Sequence, residues 1–280
     1  MQRRTMIRVV GTGLLGGIVA SCNAATGSQA TRNATVQTAT TPLTNTAPLT
    51  LAVASSFEKV LPALAARYAA TSSVPAPTWQ SGSSSALAKQ IIEGAVFDIF
   101  LAADIVAMTP LIDAKLIEAQ NIQPLVVTDV ILVARANRGI STLKDVAKRG
   151  TKIVIGDPKV AIGRYTVELL QTIAKSDGDQ TFVDSFNANV VSFEEKATAV
   201  TQKFFAGDAD VAVLYASDLY GHDASEYVIV QLPDGVSIQS TYYSVVLANA
   251  TAGAVDFVNF LSDPAQATVW SEYGFRTLGK

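Results

Sequence analysis

The chain contains, at residues 81–104, the stretch SGSSSALAKQIIEGAVFDIFLAAD. Its serine-rich start predicts a loop that opens a helix, because the apolar residues Leu87 and Ile91 are four positions apart and share one helix face. Gly94 is typical of the residue that follows the end of such a helix. The apolar run at residues 97–102 then predicts a strand buried on both faces. A helix followed directly by a buried strand favours an α/β protein.

The same alternation extends outward from this stretch. Ser56 is placed to cap a first helix, and Pro62 is expected to bend that helix or shift its start. Two extended segments, 124–134 and 240–247, suit strands that pass from one domain into another. Strand signals lie at 49–54, 74–79, 97–102, 152–156, 189–192, 210–215 and 227–232, and helix signals at 57–68, 164–174, 194–205, 254–261 and 264–273. We therefore predict an α/β fold with a mainly parallel sheet and helices on both faces.

The amino terminus has the three parts of a secretory signal, with Arg3 and Arg4, an apolar run and small residues before Cys22. The run at 9–21 is shorter than the roughly 20 residues of a membrane span. Its G-x-G-x-x-G match at 11–16 lacks the strand and helix that a nucleotide site needs. The residues before Cys22 resemble a bacterial lipobox. We predict a signal at 1–21, a lipid on Cys22 that anchors the protein outside the cytoplasm, and a flexible Thr- and Ala-rich stalk at 22–48.

Charge and composition exclude several classes of function. Removal of residues 1–21 leaves 18 basic and 24 acidic residues, a net charge of −6, which argues against nucleic-acid binding. With Cys22 acylated and His222 as the one histidine, the chain cannot assemble a catalytic triad or a familiar zinc site. Asp157 and His222 are more typical of turns than of catalysis. Arg164 and Lys89 are expected on solvated helix faces. We expect no enzyme activity, no cofactor and no direct metal-cation ligands.

Hydroxyl groups are concentrated in two loops that precede helices. Ser55 and Ser56 follow the first strand, and Ser83, Ser84 and Ser85 precede the second helix. A helix start offers unpaired N–H groups and a partial positive charge, so it favours anions. Ordinary helix capping is an equally good explanation for any one of these serines. Two such loops in adjacent units favour an anion site.

Short segments in a characteristic order carry a family resemblance. They lie at 53–57, 82–91, 97–104, 156–158, 163–165, 213–218 and 273–275. Together they resemble the periplasmic molybdate-binding protein family, the substrate-binding component of molybdate ABC importers, in a lipoprotein form. The chain departs from the family pattern in a shorter loop at 159–162 and in Ala197-Thr198.

The resemblance implies a type II periplasmic-binding-protein fold, in which two α/β lobes joined by two crossing strands enclose a ligand cleft. We expect lobe 1 at 49–127 and 241–280, and lobe 2 at 128–240. The resemblance places hydroxyl ligands at Ser56, Ser84 and Tyr215, and backbone N–H donors at Ile162 and Ala197. It implies a monomer that closes around molybdate or tungstate and delivers it to an ABC importer permease.

Elementary chemistry supports such a ligand. Hydrogen bonds to a charged acceptor contribute roughly 1.5–3 kcal/mol each, so several neutral donors can hold a dianion. A protonated phosphate would leave its hydrogen unpaired in a donor-only pocket. The alternatives are the same fold binding sulfate, phosphate or another oxyanion, an exported hydrolase, and a purely structural surface lipoprotein.

Overall fold

A computed structural model describes residues 47–72, 74–177 and 180–278. The predicted signal at 1–21, the lipidation site Cys22 and residues 22–46 of the predicted stalk lie outside the described residues. The described residues belong to one compact unit. Within these ranges, no helix combines the length and the apolar character that crossing a membrane requires.

The first third of the described chain alternates strands and helices as predicted. Its elements are β1 (Thr50–Ala54), α1 (Leu61–Thr71), β2 (Thr78–Gly82), α2 (Ser84–Ile92), β3 (Ile99–Ala102) and α3 (Thr109–Asp113). Pro62 lies in the first turn of α1, where the missing N–H has no intrahelical partner to lose. The prediction that Ser56 caps this helix is wrong. Ser56 lies in a separate 3₁₀ turn, Ser55–Phe57, and makes no capping bond to α1.

The middle of the chain begins with a 13-residue strand. Its elements are β4 (Gln123–Arg135), α4 (Leu143–Val146), β5 (Ile153–Gly156), α5 (Ala161–Asp177), α6 (Gln180–Ala188), β6 (Val190–Glu194), α7 (Ala197–Ala206) and β7 (Val211–Tyr215). The helix α6 was not predicted. It buries Phe182 and Phe186, which lie one helical turn apart.

The last part contains the second long strand and two further helices. Its elements are β8 (Tyr227–Ile229), β9 (Ile238–Val246), α8 (Ala254–Ser262), α9 (Ala267–Glu272) and β10 (Arg276–Thr277). The predicted positions of the two long strands are therefore confirmed to within a few residues.

The ten strands of the described chain form one sheet, in the order β2-β1-β3-β9-β4-β7-β5-β6, with β8 and β10 also paired to β4. Strands β1, β2 and β3 are parallel, as are β5, β6 and β7. The long strands β4 and β9 run antiparallel to each other and to their outer neighbours. The prediction of a mainly parallel sheet is right for the two outer groups and wrong for the centre, where the long strands run in opposite directions.

Buried apolar residues form distinct clusters along this sheet. One cluster consists of buried residues between positions 130 and 238. It packs α5, α6 and α7 against β4, β5 and β7. Two others combine residues from both ends of the described chain. An aromatic group in one of these joins Phe57, Tyr242, Trp270 and Phe275 at ring separations of 4.6–5.5 Å. The chain therefore builds its core on both sides of the central strands.

Candidate oxyanion site

The carboxyl ends of several parallel strands meet at one small cavity, which we call the serine cavity. Ligands of open α/β sheets bind in crevices outside these strand ends. The cavity is lined by Ala54, Ser55, Ser56, Gly82, Ser83, Ser84, Ala103, Val160, Ala161, Ile162, Lys196, Ala197 and Tyr215. All five residues that the sequence proposed as oxyanion ligands are in this set. The structure thus brings together residues separated by as many as 159 positions in the chain.

The serine cavity is small, and ten of its thirteen lining residues are buried. Its volume is about 20 Å³, measured as the space open to the centre of a water molecule. On this measure one water needs roughly 10–15 Å³. A space of this size suits a small inorganic ion better than an organic ligand.

Ser84 occupies the first position of α2, and the preceding Ser83 is the capping residue. The Oγ atom of Ser83 accepts a hydrogen bond from the Ala86 N–H. The Oγ atom of Ser84 instead accepts one from the Ala103 N–H, at 2.9 Å. Since the Ser84 oxygen already accepts a bond, its hydroxyl hydrogen is available to a group in the cavity.

The Ser56 oxygen also accepts a hydrogen bond, but from a different donor. The Oγ atom accepts a hydrogen bond of 2.7 Å from the Tyr242 hydroxyl. Ser56 is 7% exposed and Tyr242 is completely buried. The Ser56 hydroxyl hydrogen is therefore also available to the cavity.

Tyr215 ends β7 with its side chain 1% exposed. Its hydroxyl oxygen is buried and has no hydrogen-bond partner among the described residues. Burial raises the pKa of the phenol well above its ordinary value of 10.0, so the hydroxyl keeps its hydrogen at physiological pH. A buried hydroxyl without a protein partner is costly, and its position at the cavity suits a donor to a bound acceptor.

Two helices begin at the cavity and present backbone N–H groups to it. Ile162 lies in the first turn of α5, and Ala197 is the first residue of α7. The first N–H groups of a helix have no intrahelical acceptor, and the helix dipole adds a partial positive charge there. Lys196, the residue before α7, makes no side-chain capping bond to it. These two helix starts can hold the oxygens of an anion.

Sequence reasoning missed three parts of the site. Tyr242 gave no local signal, because its contact with Ser56 spans 186 positions. Lys196 lines the cavity and is the one charged residue among its lining; its position beside Ala197 could have indicated it. Arg164, expected on a solvated face, instead forms an ion pair with the buried carboxylate of Asp104.

The other sequence candidates lie outside the cavity lining. The Asp157 carboxylate accepts a bond from the Lys159 N–H at 2.8 Å and stabilises a turn. His222 stacks on Phe205 with ring centres 3.5 Å apart. In the described ranges, no group of three or more His, Cys, Asp or Glu side chains is arranged to hold a metal ion.

Comparisons with known proteins agree with this architecture. The family model for the bacterial extracellular solute-binding protein matches residues 49–276. The molybdate-binding protein ModA of Mycobacterium tuberculosis is 28% identical over 195 residues, which cover 69% of this chain and 70% of that protein. The resemblance inferred from the short ordered segments is confirmed.

Solved structures show the same fold. The periplasmic molybdate-binding protein of Azotobacter vinelandii matches with a TM-score of 0.67 and 19% identity, over 83% of this chain and 100% of that one. The sulfate-binding protein SubI of Mycobacterium tuberculosis matches with a TM-score of 0.68 and 21% identity, over 82% of this chain and 87% of that one. The predicted periplasmic-binding-protein fold is confirmed.

Proposed function

The chain belongs to the bacterial extracellular solute-binding protein family, and on that premise we propose that it is a receptor for molybdate or tungstate. The observation that carries the proposal is the polar lining of the serine cavity. Ser56, Ser84 and Tyr215 offer hydroxyl hydrogens, two helix starts offer N–H groups, and none of the lining residues is acidic. Donors of this kind stabilise a negative charge, and the lining contains no carboxylate, histidine or cysteine, so we propose binding without enzyme activity.

The size of the serine cavity and the donors that line it limit which anions can bind there. A tetrahedral oxyanion without a proton, such as molybdate, tungstate or sulfate, can accept from every donor at once. A hydrogen phosphate brings an O–H that finds no acceptor, at a cost of about 1–3 kcal/mol. The identity to molybdate-binding relatives favours molybdate or tungstate. Sulfate is the second candidate, because a sulfate-binding protein shares the fold.

We propose that the ligand is captured by closure of two lobes, residues 49–127 with 241–280 and residues 128–240. Ser56 and Ser84 come from the first, and Ile162, Ala197 and Tyr215 from the second. One anion that accepts from both sets would favour the closed arrangement over the open one. Strands β4 and β9 would carry the hinge.

The remaining parts of the proposal concern the cellular setting. We propose that a lipid on Cys22 holds the protein at the outer face of the cell membrane as a monomer. Closure around the anion would signal an ABC importer permease to accept it. The membership of an extracellular family supports this location.

The proposal is tested by binding and thermal stability. Titration calorimetry should give tight binding of molybdate and tungstate, weaker binding of sulfate, and the weakest binding of phosphate. A ligand that binds only the folded chain stabilises it by about 2.7 kcal/mol at 100 times its Kd, so the melting temperature should rise with molybdate. Wild-type protein that neither binds nor gains stability with any of these anions would refute the receptor proposal. Sulfate binding as tight as molybdate binding would refute the choice of ligand.

Two serine substitutions test the site itself. Ser56→Ala and Ser84→Ala should each cost roughly 1.5–3 kcal/mol of molybdate binding, since each removes a donor to a charged acceptor. Ser271→Ala is the control, because Ser271 is exposed and bonds only within its own helix turn. Unchanged affinity in both cavity variants would show that the anion binds elsewhere.

A further inference from the structure

Two hydroxyl side chains of strand β9, those of Ser240 and Tyr242, bond to residues that line the serine cavity without lining it themselves. Ser240 and Tyr242 are two positions apart, so they face the same side of the strand, and both are completely buried. The Tyr242 hydroxyl donates to the Ser56 Oγ atom at 2.7 Å. The Ser240 hydroxyl donates to the Ala103 carbonyl oxygen at 2.9 Å. Ala103 in turn donates its N–H to the Ser84 Oγ atom.

These bonds determine which role the two cavity serines can play. A serine hydroxyl has one hydrogen to donate and an oxygen that accepts. At Ser56 and Ser84, a protein donor already takes one of the two lone pairs of the oxygen and orients the hydroxyl group. The hydroxyl hydrogen is then the group that each serine offers to an anion.

The Tyr242 phenol can donate to Ser56 only while it keeps its hydrogen. Burial raises its pKa well above the ordinary value of 10.0. Its ring is fixed by Phe57 at 4.6 Å, Phe275 at 5.4 Å and Tyr215 at 5.9 Å between ring centres. The packing therefore holds the hydroxyl at Ser56 as a permanent neutral donor.

We propose that Tyr242 is a positioning residue that sets the ligand specificity of the serine cavity, with Ser240 assisting through Ala103. By donating to Ser56, Tyr242 takes one of the two lone pairs of that oxygen and so weakens its ability to accept a hydrogen from the ligand. The cavity then acts mainly as a donor and discriminates against an oxyanion that carries a proton. This inference rests on the proposed function and adds a residue that never touches the anion.

The test compares Tyr242→Phe with wild type in binding both molybdate and phosphate. The substitution keeps the ring and removes the donor, so the Ser56 oxygen becomes a better acceptor for a protonated anion. We expect the Kd for molybdate to rise about 2- to 10-fold, the range of one neutral hydrogen bond. The Kd for phosphate should rise less or fall, so the ratio of the phosphate Kd to the molybdate Kd should decrease.

A pH series provides a readout that packing damage alone would not alter. In wild type, phosphate affinity should increase with pH as the ligand loses its proton. In Tyr242→Phe this dependence should be weaker. Tyr68→Phe is the matched control, because Tyr68 is buried in the same cluster but packs on Phe257 and Phe260 rather than on a residue that lines the cavity; it should keep the wild-type ratio.

A double-mutant cycle separates action through Ser56 from a general effect. In a Ser56→Ala background, Tyr242→Phe should produce no further change in the Kd ratio. Ser240→Ala is a second, independent variant and should lower the same ratio through Ser84. If Tyr242→Phe does not fold, Ser240→Ala decides the question.

Two failures are distinguishable. Wild-type protein that binds no oxyanion overturns the proposed function. Wild-type protein that binds molybdate, while every folded β9 variant keeps the wild-type ratio and pH dependence, overturns only the role of Tyr242 and Ser240.

Discussion

Asp218 is a buried carboxylic acid three residues after the cavity residue Tyr215. It is 4% exposed, and its Oδ2 atom accepts a bond of 3.1 Å from the Tyr215 N–H. Burial raises the pKa of this carboxyl from 3.8 to about 7, an effect that Glu58 increases, and that the Tyr215 N–H and the charge of Lys59 oppose. The lysine Nζ atom donates to the Asp218 and Tyr220 carbonyl oxygens. A carboxyl whose pKa is higher in the folded chain than in the unfolded chain makes the free energy of unfolding depend on pH.

The sign of that dependence follows from the direction of the shift. Between the ordinary pKa of 3.8 and about 7, the folded chain holds a proton that the unfolded chain has released. The contribution of Asp218 to the free energy of unfolding is therefore fully present below this window and is lost as the pH rises through it. Asp218→Asn should remove this loss, because the amide oxygen can still accept from Tyr215 but cannot ionise.

Urea unfolding at several pH values between 4 and 8 measures the effect. The free energy of unfolding of Asp218→Asn, relative to wild type, should increase across this range. Asp223→Asn is the control, because the Ser225 N–H lowers the pKa of Asp223, so the contribution of Asp223 changes only at lower pH and the difference from wild type should stay nearly constant across this range. A constant difference between Asp218→Asn and wild type would mean that Asp218 ionises as readily as in the unfolded chain.

The residues that could be predicted from the sequence are those whose environment is local or belongs to a recognisable motif. Ser56 and Ser84 sit in loops before helices, and Tyr215 ends a strand. Tyr242 and the partner of Arg164 could not be predicted, because their contacts span 186 and 60 positions. Only the paired strands of the folded chain bring such groups together.

Helix α5 begins where the chain is too crowded for any side chain at Gly163. A Cβ atom there would overlap the Asp157 carbonyl oxygen and lie 2.7 Å from that of Gly156. These oxygens belong to the last residue of β5 and to the residue directly after it, so they cannot move aside without displacing the helix start. The crowding therefore fixes Ile162, whose N–H is a proposed ligand.

Gly163→Ala should displace this helix start. Overpacking costs about 1–3 kcal/mol of stability, and the shifted Ile162 N–H should weaken molybdate binding by about tenfold or more. Urea unfolding and titration calorimetry measure the two effects. Gly150→Ala is the control for lost stability alone, since the positive φ of 93° strains an alanine there although the space around its Cβ position is open, and Gly150 does not line the cavity; it should keep the wild-type affinity. Wild-type affinity in folded Gly163→Ala would exclude Ile162 as a rigid donor.

Hydrophobic spacing predicted most helices and strands, but not their exact limits. Helix α1 begins at Leu61 rather than near Ser56, because the chain first makes a 3₁₀ turn and Pro62 then favours a helix start. Helix α6 was missed although Phe182 and Phe186 have helical spacing, since these are the only buried residues among its nine and so short a buried face gives a weak pattern. The antiparallel centre of the sheet depends on the path of the chain, which periodicity does not encode.

The two proposed lobes are linked beside the cavity by a buried ion pair. Arg164, in α5, donates to the Asp104 Oδ2 atom through Nε at 2.7 Å, and its Nη2 atom forms an ion pair with the same oxygen at 2.6 Å. The Asp104 side chain is 4% exposed, and its Oδ1 atom accepts from the Ala107 N–H. A second contact also joins the two proposed lobes. The Ser85 hydroxyl donates to the Lys159 carbonyl oxygen at 2.9 Å. These contacts would exist only when the lobes are closed.

Arg164→Gln should therefore favour the open arrangement. Removing one partner of a buried pair costs about 3–5 kcal/mol, and the 25% exposure of Arg164 reduces this figure. We expect molybdate to dissociate about tenfold faster or more, measured by stopped-flow competition with unlabelled ligand.

Two further variants distinguish closure from simple loss of stability. Asp104→Asn combined with Arg164→Gln removes both charges, so it should recover part of the slow dissociation that Arg164→Gln alone loses. Lys89→Gln breaks an ion pair whose side chains are 74% and 61% exposed, and it should leave dissociation unchanged. If Arg164→Gln lowers the urea midpoint but keeps the wild-type dissociation rate, the pair stabilises the fold without controlling closure. A faster dissociation with partial recovery in the double variant requires that the pair forms in the closed state and breaks before the anion leaves.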